Sequence, residues 1–282
     1  MILLLAASFI WAFSFGLIKK YLGGLDAGFV ACFRLALSFL LFLPLLRPRK
    51  TAPSLTVHLL ALGGVQFGLM YVFYIQSFRF LAAHQVALFT ILTPLYVAAA
   101  ADLLEGRFHP LHFWAALLAV AGSAVIVYSG AGRAGLLTGF LLVQASNLCF
   151  ALGQVLYRRL ALAGREWRDR DGFAWLYLGG TAAAAAAMLL SSGLPRLDLD
   201  VGQWLVLAYL GLLASGVGFF LWNVGALRVS AGMLAVFNNV KIPLAILVSL
   251  VFFRERTDLL RLALGGALIL AALAMNSRRR LT

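Results

Sequence analysis

Apolar runs of about twenty residues recur along the chain, each closed by a short polar, basic or glycine-bearing segment. A helix needs roughly 20 mostly apolar residues to cross hydrocarbon. By that measure the pattern predicts ten spans, at 2–18, 27–46, 58–78, 84–103, 111–129, 135–157, 172–191, 202–222, 232–253 and 259–275. All ten are predicted as helices, because only helices and closed barrels satisfy the backbone in lipid. The short alternating runs of barrel strands are missing from the sequence. The first run starts at Met1 without a positive n-region or a small-residue cleavage site, so it is read as a span that stays.

The pattern repeats itself. "AASFIWAFSFGLIKKYL" (6–22) lies over "QASNLCFALGQVLYRRL" (144–160), and "SFRFLAAHQVALFTILTP" (77–94) lies over "ALRVSAGMLAVFNNVKIP" (226–243). The second match sets Arg79 against Arg228 and Pro94 against Pro243 at an offset of 149 residues; beyond it, with a one-residue shift, Glu105 meets Glu255. Residues 1–130 thus read as one five-helix repeat and 135–282 as a second, joined by "SGAGRAG" (129–135) into a single transmembrane domain. An odd number of spans per repeat inverts the second half in the membrane. Inverted repeats place a substrate site near the midplane, between the halves.

Composition fixes the solvent. The chain is 63% hydrophobic and 12% charged, against about half and about a quarter for a soluble domain. The net charge of +13 sits in short clusters such as "RPRK" (47–50), "REWRDR" (165–170) and "RRR" (278–280), between apolar runs. That is how loops anchor at an anionic membrane face, and it excludes nucleic acid as the partner. With the N-terminus inside, the inner segments hold 13 Lys and Arg residues and the outer ones 8. Both termini are therefore expected in the cytoplasm. Cys32 and Cys149 lie inside apolar runs and carry no disulfide pattern.

These features together resemble the drug/metabolite transporter superfamily, specifically its EamA-type members. The resemblance rests on "IWAFSFGLIKK" in the first span, "FRLALSFLLFLP" in the second, and the repeated pattern across the fourth and ninth that ends at Glu105 and Glu255. Leu104 and Arg254 stand where the family's pattern has a glycine. The resemblance implies an inner-membrane transporter, commonly an exporter of amino acids or other metabolites, with a central cavity. "NNVK" also resembles the lysine-bearing segment of sugar-phosphate translocators, but Ile242 stands where those carry a second basic residue.

The polar residues within spans carry the candidate chemistry. None of the ten acidic residues lies mid-span, which argues against a proton-coupled exporter of cationic drugs. Lys241 lies about halfway along the ninth span, where a lysine costs on the order of 3 kcal/mol. It either meets an anionic cargo or caps the carbonyl that Pro243 leaves free on Asn239. Asn238 shares its helical face and Asn239 lies beside it; both suit a carboxylate and, equally, interhelical bonding. Arg34, about eight residues into the second span, is within snorkelling reach of the interface, with substrate contact as the other role. Gln144, Asn147 and Gln154 form a polar stripe on the sixth span, matched on the first by Ser8, Trp11 and Ser14. Tyr71 and Tyr74 lie on an aromatic face of the third span, and Asn223 aligns with Tyr74. Pro94 and Pro243 are candidate hinges.

The expected activity is therefore secondary transport of a small, carboxylate-bearing solute such as an amino acid, by alternating access and without a cofactor. No ATP, nucleophile or metal motif occurs. A multidrug exporter of the same fold is the alternative. A membrane enzyme would have to use Glu105, His109 and His112, the only interfacial acid–histidine group.

Overall fold

The computed structural model describes residues 1–47, 52–104, 106, 110, 114, 133–162, 169–191, 198–229, 231–254, 260, 263–264, 267 and 271. Eight long helices account for almost all of them, with no strand among the described residues. They are α1 (Ile2–Leu22), α2 (Ala27–Leu45), α3 (Pro53–Ser77) and α4 (Ala83–Leu104), then α5 (Arg133–Leu162), α6 (Asp169–Ser191), α7 (Val201–Leu227) and α8 (Ala231–Phe252). Seven are long and apolar enough to cross a membrane, and α8 contains a shorter apolar stretch, Ile242–Phe252. They correspond to predicted spans 1–4 and 6–9. The fifth and tenth spans fall almost wholly outside the described residues.

Local chemistry sets the helix starts. The Asp26 carboxylate accepts from the Phe29 N–H at 2.8 Å, and Asp200 caps α7 reciprocally with Gln203. Pro53 opens α3 at a position where its missing N–H is not needed, so α3 begins five residues before the predicted span. Three helices carry π segments: Ile18–Leu22 at the end of α1, Gly64–Leu69 inside α3 and Tyr209–Val217 inside α7. Such widened turns break the regular bonding and are frequent at functional sites.

Packing follows a pattern. α1 lies against α7 and α8, and α5 lies against α3 and α4. α2 packs on α6 and α7, and α6 packs on α2 and α3. Exchanging α1–α4 with α5–α8 maps these pairs onto one another. Close approach rests on glycine where α3 meets α6. A Cβ on Gly63 would collide with the Leu176 backbone, and one on Gly179 with the Leu60 backbone. Membrane helices use small residues in this way because packing, not water, drives their association. Large apolar side chains such as Phe9, Leu40, Leu141, Leu189, Leu205 and Val251 face outward, as a lipid-facing surface requires.

Candidate substrate cavity

The interior is not uniformly apolar. Side chains from three neighbouring helices bond backbone carbonyls of the α7 π segment. Ser38 donates to Gly211 O at 2.7 Å, and Trp11 Nε1 donates to Ala214 O at 2.8 Å. The Tyr177 hydroxyl lies 2.8 and 2.9 Å from Ser215 O and Gly216 O. This bonding fixes the backbone that carries Ser215, and the Ser215 hydroxyl meets Arg34.

Arg34 is only 1% exposed. Its Nε donates to Ser215 Oγ at 2.8 Å, and Nη2 donates to the Tyr71 hydroxyl at 3.0 Å. The guanidinium also lies over the Tyr71 ring, 3.8 Å from its centroid, a cation–π contact. Ser215 Oγ in turn donates to the Tyr71 hydroxyl at 3.0 Å. That oxygen therefore accepts twice, and its own proton remains to be given. Nη1 has no partner, and among the described residues no carboxylate pairs with the guanidinium. The snorkelling expected of Arg34 does not occur. Two hydrogen bonds and the Tyr71 ring hold the head inside.

Arg34 lines a cavity of about 550 Å³ of empty space, opening included. Trp11, Phe15, Met70, Tyr74, Phe150 and Phe219 form its apolar walls. Ser14, Thr90, Thr93, Ser146 and Asn147 form a polar wall. Most of that polar wall is built around Pro94. α4 tightens to a 3-10 turn at Thr90–Leu92 just before the proline, whose missing N–H would leave Thr90 O free. The Thr93 hydroxyl donates to Thr90 O at 2.7 Å, and Asn147 Nδ2 donates to Phe89 O at 3.0 Å.

Of the residues singled out from sequence, Trp11, Arg34, Tyr71, Tyr74 and Asn147 thus come together around one cavity. Gln144 does not line it; its Oε1 accepts from Asn147 Nδ2 at 3.1 Å. Asn223 lies outside it, 3.5 Å from the Gln66 amide. Pro94 is buried at the α4 break, whereas Pro243 is exposed within a continuous α8. The side chains of Lys241, Asn238 and Asn239 lie outside the described residues, as do Glu105, His109 and His112. Sequence reading missed Thr90, Thr93 and Ser215. A threonine immediately before a mid-span proline was a usable signal; nothing in the sequence announced that Ser215 faces Arg34.

Comparison with known proteins agrees with a transporter. The model of the EamA-like transporter family matches residues 1–128 and 137–278. The chain is 44% identical to a Pseudomonas aeruginosa protein named "Probable biotin transporter", over 97% of this chain and 96% of that one. It is 38% identical to the "Biotin transporter" of Salmonella typhimurium, over 99% and 93%. A more distant relative, 26% identical over 76% and 75%, is the "Aromatic amino acid exporter YddG" of Ancylobacter novellus. A solved crystal structure, 20% identical, shares the fold over 99% of this chain and 97% of its own, with a TM-score of 0.69. The chain belongs to the EamA-like transporter family and is an integral, multi-pass membrane protein that transports a small metabolite.

Proposed function

We propose that the transported metabolite is biotin and that Arg34 anchors its carboxylate. The observation that carries this reading is a buried guanidinium on the cavity wall with one nitrogen unmatched and no carboxylate partner among the described residues. Burying an unpaired charge is costly, so an anionic cargo fits the site. A carboxylate there can accept from Nη1 and from the Tyr71 O–H. The aromatic walls suit the apolar tail and sulfur ring of biotin. The names of the relatives at 44% and 38% identity point the same way.

An aromatic amino acid is the second reading, favoured by the ring-lined walls and by the more distant relative. Its carboxylate would use the same anchor, but its ammonium would need an acidic partner. No carboxylate is among the described lining residues, so a plain anion fits better than a zwitterion. Cationic drugs fit least, because Arg34 repels them.

Movement is by alternating access between inverted repeats 1–130 and 135–282, powered by a gradient. The exchange-symmetric packing of α1–α4 and α5–α8 supports this, as do the π segments midway along both α3 and α7. Pro94 and Pro243 are the proposed bending points. The loop charges support an inner-membrane protein with both termini in the cytoplasm. Lys241 remains a proposed second cation on the path, with Asn238 and Asn239 beside it.

The test is uptake of radiolabelled biotin into proteoliposomes. Arg34→Gln should cut uptake by about a hundredfold, and Arg34→Lys by less, since lysine keeps the charge without the fork. Full uptake by a well-folded Arg34→Gln protein would overturn the anchor. Lys241→Ala should abolish uptake with insertion intact, and wild-type rates from it would remove Lys241 from the path.

A further inference from the structure

One helical turn beyond the cavity lie three buried amides: Gln66 on α3, Gln154 on α5 and Asn223 on α7, all at most 4% exposed. Each stands four positions from a cavity-lining residue of its own helix, namely Met70, Phe150 and Phe219. Four residues make about 6 Å of rise. All three steps run the same way, because α3 is antiparallel to α5 and α7. Gly139 abuts Phe80 while Gly153 abuts Gln66, and Phe219 faces Tyr71 while Asn223 faces Gln66. The trio therefore lies together, behind the Phe219 ring, which packs on Phe67, Tyr71, Phe150 and Trp11.

These amides are poorly served. Gln66 Nε2 reaches Asn223 Oδ1 at a long 3.5 Å. Gln66 Oε1, Asn223 Nδ2 and both polar atoms of Gln154 have no partner. Buried polar groups are normally paired, so four unmet atoms in one place mark a site for something. Two are donors and two are acceptors. A metal ion would want acceptors only, and a carboxylate donors only. A cyclic urea offers one carbonyl that accepts twice and two N–H groups that donate, which matches the set.

The repeat adds a second reason. By the 149-residue offset, Ser215 falls on Gln66 and Tyr74 falls on Asn223. Ser215 holds Arg34 and Tyr74 lines the cavity. Gln66 and Asn223 thus stand where the cavity has its counterpart in the opposite half. We infer that Gln66, Gln154 and Asn223 form a second subsite that binds the neutral ureido ring of the substrate once the Phe219 ring turns aside. The assignment to substrate rests on the biotin reading; the affinity for a cyclic urea does not.

The experiment has two arms on the full chain in lipid nanodiscs and proteoliposomes. In the first, 2-imidazolidinone, the ureido ring alone, is added during thermal unfolding. It should raise the melting temperature of wild type and of Arg34→Gln equally, and leave Gln154→Leu unmoved. No shift in wild type, or an equal shift in Gln154→Leu, overturns the subsite. That would be the result if the trio merely held water. Gln154→Leu removes two unmet polar atoms, so it should fold at least as well as wild type; Gln66→Leu serves as a second variant. In the second arm, biotin uptake is competed by 5-(2-thienyl)pentanoate, which keeps the acid tail and lacks the ureido ring. Wild type should prefer biotin by about tenfold or more, and Gln154→Leu should lose that preference. An undiminished preference in Gln154→Leu overturns the assignment of the trio to substrate. A wild type that carries no biotin sinks the biotin reading alone, because the first arm still reports on the trio.

Discussion

α3 and α7 occupy corresponding places in the two halves and solve the same problem differently. Both widen into a π segment midway, and both press glycines against a neighbour, α3 on α6 and α7 on α2. At the matching position α3 carries Gln66 and α7 carries Ser215. The short serine leaves room for the Arg34 head, and the Ser215 hydroxyl accepts from it. The long glutamine fills its own space and keeps an unmet oxygen. Backbone geometry is shared between the halves, and side-chain chemistry is not.

The sharpest way to break the comparison is steric. Gly63→Leu in α3 and Gly211→Leu in α7 each drive a side chain into a neighbouring helix, at Leu176 and at Leu37 with Arg34 O. Each should cost on the order of 3 kcal/mol and collapse the yield of monodisperse protein. A loss in one helix only would show that the two contacts are not equivalent. Next comes Tyr71→Phe. It removes the hydroxyl that accepts from Arg34 and Ser215 and should weaken biotin binding about tenfold, as measured by isothermal titration. The smallest effects should have opposite signs. Ser215→Ala strands a guanidinium N–H and should lower stability by about 2 kcal/mol, whereas Gln66→Leu removes an unmet oxygen, gives up only the long 3.5 Å bond to Asn223 and should raise it by about 0.5 kcal/mol. Denaturation that moved both variants the same way would contradict the contrast drawn between Ser215 and Gln66.

The eight described helices were legible because hydrocarbon imposes a length and a polarity on each. Their π segments were not, since the apolar run continues unchanged through Gly64–Leu69 and Tyr209–Val217. The second of these decides which face Ser215 presents, and α7 also runs five residues past the predicted end. Arg34 illustrates the limit best. Its depth in the sequence permits snorkelling, and only tertiary contact shows that the head is held inside. Trp11, Tyr71, Tyr74 and Asn147 were found because polar or amphipathic groups at helical spacing within a span need an interior. Thr90 and Thr93 were passed over as ordinary span residues, although Pro94 beside them forces a carbonyl to seek a new donor.

The widened turn in α7 also bears on how such a transporter changes cargo over generations. One residue inserted or deleted in an α-helix turns everything beyond it by about 100°. A single codon lost between Tyr209 and Val217 would swing Phe219, Trp222 and Asn223 away from their present neighbours while leaving the span long enough to cross. The segment works as a phase adjuster: a one-residue change in length, too small to disturb topology, is enough to redraw the wall of the cavity.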